Sequence, residues 1–168
     1  KTPEGELMKN MKAVIAQYEN RQRVERTRRG KRGRIEAGHV LVPARRTPYG
    51  YDYVSEKRKG WLVINDEQAE VVRMMYSWLT KEGLSSYAIA RRLLEMGILS
   101  KGDTSSVVVK KEGLASWSPA TVRRMLSSSV YKGVWHYGKT KCFKVNGRTV
   151  QKAVPESDWI AVEVPAIV

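Results

Sequence analysis

At 168 residues the chain has room for one compact domain plus an extension, or for two small domains. Its 31 basic and 17 acidic side chains leave a net charge of +14, while 42 % apolar content allows a packed core and directs attention to a polyanionic partner. The one cysteine, Cys142, excludes an internal disulfide and lacks the neighbours of a zinc site; no apolar run reaches membrane-spanning length.

The charge is uneven: +9 over residues 1–60, −1 over 61–100 and +6 over 101–168. The near-neutral middle reads as core and the basic flanks as binding surface. The lone cysteine fits a reducing, cytoplasmic setting. The chain begins without methionine, in residues that are already helix-like, and ends in Pro165-Ala166-Ile167-Val168. Both ends read as cuts from a longer polypeptide.

Thr2 as N-cap and Pro3 at the first helical position open a helix expected over Glu4 to Ala37, with Gly38 as its stop. Leu7, Met8, Met11, Val14, Ile15 and Tyr18 form an apolar stripe at helical spacing, which calls for a partner surface. Without a break the helix turns basic. Arg21, Arg23, Arg26, Arg28, Arg29, Lys31, Arg32 and Arg34 stand against the single carboxylate Glu25 within residues 21–34. These cations surround the helix and do not alternate with glutamates, so they fit phosphate neutralisation better than a salt-bridged solvent face. Gly30 and Gly33 lack side chains and let backbone approach a groove or phosphate closely.

Residues 39–50 form a proline-containing extended linker bearing Arg45 and Arg46, an arm suited to a minor groove. Two strands follow, Tyr49 to Tyr53 and Gly60 to Ile64, around the charged turn Glu56-Lys57-Arg58-Lys59. Asn65 and Gln68 form a capping-box-like pair before a helix running to about Lys81, and Gly83 stops it. Ser85 caps the next helix, with Leu84 stapled toward Ile89, an apolar face of Ala90, Leu93, Leu94 and Met96, and Gly97 at its end. Residues 101–116 read as a long loop, a length that in a compact domain usually serves function or is disordered. Trp117-Ser118-Pro119 opens a third helix to about Ser127, with Ser118 as cap and Trp117 stapled toward Val122. Tyr131 to Lys139 and Arg148 to Val164 hold two or three further strands, and Trp61, Trp78, Trp135 and Trp159 read as core anchors. His39 and His136 are isolated, which gives neither a metal or catalytic role.

In the third helix Val122, Met125 and Leu126 fall on the core side, leaving Thr121, Arg123, Arg124 and Ser128 as candidates to meet base edges or phosphates. Ser127, Ser128, Ser129, Tyr131 and Lys132 can donate to phosphates and set register, and Ser118, besides capping, is a further candidate. The preceding helix and this one are only helix-turn-helix-like, since about twenty residues separate them where three or four are usual. The fold class is α+β: a long N-terminal helix, then three main helices with small antiparallel sheets. The expected division is 1–37 for the linker helix and 38–168 for the DNA-binding domain.

Five segments in order carry a family resemblance: Pro48-Tyr49-Gly50-Tyr51, residues 64–69 (INDEQA), residues 85–93 (SSYAIARRL), residues 117–126 (WSPATVRRML) and Tyr131-Lys132-Gly133. The series resembles the recombinase domain of large serine recombinases, the phage integrases and transposon-type recombinases. Tyr18 through Lys31 is similar to that family's long helix between catalytic and DNA-binding domains, and the likeness covers nearly the whole chain. The resemblance implies double-stranded attachment-site DNA as partner, with the basic helix end across the minor groove. It further implies a serine nucleophile in a preceding domain that forms a phosphoseryl link to DNA, a following zinc-ribbon domain, and dimers or tetramers made through the catalytic domain. This segment alone is then expected to be catalytically inert, without cofactor or metal, and monomeric or self-associated through its exposed helix. Two departures stand out: residues 101–116 are longer than the family's connection, and Ser127-Ser128-Ser129-Val130 replaces the usual Asn-Pro before the tyrosine. The rival readings are a helix-turn-helix-like transcriptional regulator and a sequence-indifferent RNA- or nucleic-acid-binding protein. An anionic-membrane surface protein is a weaker rival, because the charged half of the helix has no opposing apolar face.

Overall fold

Thr2 opens the first helix as expected: its hydroxyl accepts the Gly5 N–H at 3.4 Å, and Pro3 begins helix α1, Pro3–Glu36. In this computed structural model, which describes residues 2–43, 46–103 and 113–168, α1 is unbroken over 34 residues, about 50 Å at ~1.5 Å per residue. Its apolar stripe is uncovered, with Leu7, Met8, Met11, Val14, Ile15 and Tyr18 all more than half exposed. The C-terminal part of α1 meets the domain. Ile35 is buried in the core, α1 lies against the final strand, and Gly38 (φ +83°) ends the helix in the left-handed region.

The chain then crosses the β1–β2 hairpin (Tyr51–Glu56 and Lys59–Ile64), where the Val40 N–H donates to the Gly60 carbonyl at 2.9 Å. A side chain at Gly60 would collide with the Tyr53 hydroxyl and the Val40 carbonyl. The turn is tighter than the expected Glu56–Lys59 span. Glu56 and Lys59 pair, leaving only Lys57 and Arg58 at the tip, both with positive φ (45° and 70°). That geometry matches the twist of hairpin strands, at a cost of roughly 1 kcal/mol or more for each non-glycine residue.

Helix α2 (Asp66–Thr80) starts where Asn65 accepts the Gln68 N–H at 3.2 Å. The capping box is only half made, since the Gln68 carboxamide accepts the Gly50 N–H at 3.0 Å and so ties α2 to the hairpin. Helix α3 (Ser86–Glu95) is capped by Ser85 and buries Ile89, Ala90 and Leu93. Leu94 and Met96, expected on the same face, are about half exposed, because α3 is buried on a stripe narrower than its apolar residues. Helix α4 (Pro119–Leu126) packs on α3 and buries Val122 and Met125. The two helices are therefore partners in space despite their separation in sequence.

Among the described residues there are three two-stranded antiparallel sheets: β1–β2, β3–β6 (Val134–Tyr137 with Ile160–Glu163) and β4–β5 (Thr140–Val145 with Arg148–Ala153). The C-terminal residues return to the centre, where Ile167 is buried and its N–H donates to the Tyr131 carbonyl at 2.9 Å. Of the expected tryptophan anchors, Trp78 is buried and Trp135 and Trp159 are half-buried, whereas Trp61 is 40 % exposed on the outer hairpin face, edge-on to His39. The α+β class holds, with β4 the strand that the sequence pattern failed to mark.

Candidate nucleic-acid interface

Along α1 the helix runs through Gly30 and Gly33 although each weakens it by about 1 kcal/mol relative to alanine. Nothing lies within 4 Å of where their side chains would be, so no packing demands them and the backbone is bare there. Arg29 pairs with Glu25 at 3.0 Å and Arg32 with Glu36 at 2.8 Å, both in solvent and readily exchanged for a phosphate. Arg23 donates to Asn20 Oδ1 at 3.1 Å. Arg34 is half-buried and committed to the fold, donating to the carbonyls of Gly30 and Arg58 at 3.1 Å each. Arg21, Arg26, Arg28 and Lys31 are exposed and make no ion pair or hydrogen bond among the described residues. Arg23, Arg28 and Lys31 also line a shallow concavity of 380 Å³ that Tyr137 of β3 closes.

A larger groove of 810 Å³ opens along the exposed side of α4. Its walls come from three separated stretches: residues 46–49 of the linker, 100–102 after α3, and 116–131 through α4. Lys101 holds the first two together. Its ammonium donates to the carbonyls of Thr47 (3.1 Å), Pro48 (3.0 Å) and Tyr51 (2.9 Å). Burial pushes its pKa down, against the opposing pull of Asp52. Trp117, 5 % exposed, donates from Nε1 to the Ile98 carbonyl at 2.8 Å and meets the Tyr49 ring edge-on at 5.0 Å.

Arg46, Lys101 and Arg124 bring positive charge to this groove, and no described lining residue is a carboxylate. Thr121 lines it too, its hydroxyl 3.5 Å from an Arg124 guanidinium nitrogen. Ser118 occupies the cap position of α4 but makes no side-chain capping bond, contrary to the expectation, and Ser128 is likewise uncommitted, so both hydroxyls are available to the groove. Tyr131 supplies the floor. At 2 % exposure its ring belongs to the core, stacked on Tyr51 at 6.0 Å, and burial raises its phenol pKa.

The other expected contacts lie off the groove. Arg123 is exposed on α4 but outside it; the Ser127 hydroxyl donates to the Arg123 carbonyl at 2.9 Å; Lys132 is exposed at the end of the short 3₁₀ turn Ser129–Lys132. Arg45 and most of the 101–116 loop, residues 104–112, lie outside the described residues. The sequence reading did not single out Lys101, Tyr49 or Ser116 for the groove: Tyr49 stands inside a quoted motif, Ser116 directly precedes another, and Lys101 carries no local signal. His136 is held by Ser129 Oγ at 3.0 Å and Trp159, and among the described residues no three His, Cys, Asp or Glu side chains cluster as a metal site. No described helix is long and apolar enough to cross a membrane.

A family model described as "Recombinase" matches residues 66–168. A Bacillus subtilis (strain 168) protein that carries the name of a DNA recombinase is 29 % identical over 177 aligned residues, covering 99 % of this chain and 33 % of that protein. The chain thus spans a third of the length of this curated relative. Among solved structures, "Crystal Structure of a LSR-DNA Complex" contains a chain of similar fold, with TM-score 0.50 and 21 % identity over 85 % of this chain and 33 % of its own. "Sequence Requirements of the Listeria innocua prophage attP site" gives TM-score 0.49 and 21 % identity over 85 % of this chain and 46 % of that one. With its model match covering α2 to the C-terminus, and with the ordered motifs resembling large serine recombinases, the chain belongs to the Recombinase family.

Proposed function

We propose that this chain is the DNA-binding segment of a site-specific serine recombinase, which holds the enzyme on one half of its attachment site during integration or strand exchange. The observation that carries the reading is the α4 groove, where Arg46, Ser118, Thr121, Arg124 and Ser128 meet without a carboxylate among the described lining residues. Arg124 is the candidate for bidentate contact with a guanine, and the hydroxyls and Arg46 are candidates for phosphates. The basic end of α1 neutralises the neighbouring backbone through Arg21, Arg26, Arg28 and Lys31, with Arg23, Arg29 and Arg32 released from their weak partners. Arg123, Ser127 and Lys132, off the groove, contribute at most to phosphates, and Arg45 extends the linker arm.

In this reading residues 1–37 act as the linker helix and 38–168 as the DNA-binding domain. Covalent serine chemistry and assembly into dimers or tetramers belong to other parts of the whole protein, which works on cytoplasmic DNA. The test is competition binding of the purified chain between its own attachment half-site and unrelated duplex, with nuclease footprinting of the half-site. Protection of one half-site and preference for it support the proposal; equal affinity for unrelated RNA and DNA, or no binding to duplex, overturns it.

A further inference from the structure

Among the described residues the β4–β5 ribbon is the one paired element that contributes no buried residue: all twelve strand positions are exposed. Six paired positions at ~3.4 Å each make an arm about 20 Å long. An isolated two-stranded hairpin is at best marginal in water, so this one is ordered by its turn and its base. Asn146 (φ 49°) and Gly147 (φ 75°) form the two-residue turn whose twist fits the strands. At the base the Val154 N–H donates to the Lys139 carbonyl at 2.9 Å, Val154 is buried, and its carbonyl accepts Trp159 Nε1 at 2.9 Å. The Lys139 ammonium sits over the Trp159 ring at 4.8 Å.

Residues 139–153 hold five cations, Lys139, Lys141, Lys144, Arg148 and Lys152, and no carboxylate. Register places three cross-strand pairs on one face: Lys141 with Lys152, Phe143 with Val150, and Val145 with Arg148. Like charges directly opposite each other destabilise a ribbon, and Lys141 faces Lys152 with no acidic residue on either strand to relieve it. The same face exposes Phe143 and Val145 by about half. It is therefore a strip with cations at both ends and an apolar middle. Its base follows directly on Tyr137, which lines the same concavity as Arg23, Arg28 and Lys31 of α1.

We infer that this face of the β4–β5 ribbon is a second DNA-contacting surface: Lys141, Arg148 and Lys152 bind backbone phosphates of the duplex that the basic end of α1 meets, and Phe143 packs on the sugars between them. The inference rests on the DNA-binding reading above and adds an arm to it. Charge complementarity selects the occupant, because a polyanion relieves the Lys141–Lys152 repulsion and an apolar protein surface does not.

The test is fluorescence anisotropy of the whole chain on a labelled random-sequence duplex across a salt series. Each lost phosphate contact lowers the slope of log K against log salt by ~0.9, so the triple variant Lys141→Gln, Arg148→Gln, Lys152→Gln should lose about 2.7 from the slope. Its melting temperature should not fall, since none of the three is buried and the Lys141–Lys152 repulsion is removed. Phe143→Ser should weaken binding several-fold at constant slope. A control triple far from the ribbon, Lys9→Gln, Lys12→Gln, Lys81→Gln, should keep the wild-type slope. A wild-type slope in the ribbon triple, with the wild-type chain still binding duplex, overturns the arm and leaves the broader reading intact. An equal loss in the control overturns it as bulk charge. Conversion of a self-associated chain to monomer by Phe143→Ser, with DNA binding unchanged, overturns it in favour of contact between copies. Failure of the wild-type chain to bind any duplex removes both readings.

Discussion

Replacing Tyr51 with phenylalanine should destabilise the domain at neutral pH and stabilise it, relative to wild type, in strong alkali. The Tyr51 ring is fully buried, and its hydroxyl reaches the Pro165 carbonyl at 2.7 Å and the Val130 carbonyl at 3.0 Å. Val130 keeps a second donor, the Gly133 N–H at 3.1 Å, so the deletion strands chiefly Pro165. One hydrogen bond at about 1 kcal/mol, plus part of the cost of an unmet carbonyl, gives a loss of ~1–2 kcal/mol. For a chain of this size that is a fall in Tm of about 3–6 °C.

Burial, with a smaller contribution from Tyr76, pushes the Tyr51 phenol from its ordinary 10 up to about 12. Between these values the unfolded chain has released the proton and the folded one retains it, so stability falls as pH rises through 10 to 12. Two units correspond to ~2.7 kcal/mol, present at pH 9 and lost by pH 12. The variant lacks this loss, while the raised phenols of Tyr49, Tyr76 and Tyr131 still destabilise both proteins in alkali. The two stability curves should therefore cross between pH 10 and 12. Urea titrations of both chains at pH 7 to 12 measure it. Curves that stay parallel above pH 10, or no difference at pH 7, would refute the assignment of that hydroxyl. Tyr51 lies outside the groove lining, so duplex affinity at pH 7 should not change.

Arg124→Ala should cost ~1–3 kcal/mol on the cognate half-site and much less on random duplex, whereas Arg123→Ala, outside the groove, should weaken both alike; competition anisotropy separates the two. Changing Arg26, Arg28 and Lys31 together to glutamine should lower the salt slope by about 2.7, and an unchanged slope would remove α1 from the DNA backbone. Gly60→Ala should destabilise the fold by ~2 kcal/mol or more, because its methyl meets the Tyr53 hydroxyl and the Val40 carbonyl; a melt within 1 °C of wild type would show that this crossing gives way. The ribbon triple described above adds a second salt-slope measurement, on a different element.

The helix ends were legible because their signals are local. Thr2-Pro3, Asn65, Ser85, Gly38, Gly83 and Gly97 act on neighbours a few residues away, and each ends or begins a helix as expected. Asn146-Gly147 is equally local and turns the β4–β5 ribbon, but its strands hold four cations among twelve positions and too little apolar alternation to be seen as strands. The basic run of α1 was readable for the same reason: its charge is a property of consecutive residues on a continuous helix.

The groove was not readable in this way. Motifs placed Ser118, Thr121, Arg124 and Ser128 near one another, but Arg46 and Lys101 join them only through contacts spanning about 50 residues or more. The choice between Arg124 in the groove and Arg123 outside it depends on how α4 is rotated against α3. Sequence alone determined the helices and every strand but β4, the excess of positive charge and the family resemblance, since these depend on short-range periodicity, caps and composition. Tertiary structure alone decided which cations share a surface, that Arg34 and Tyr131 are committed to the fold, and that only glycine fits at position 60. These follow from close packing between segments remote in the chain, which no local pattern encodes.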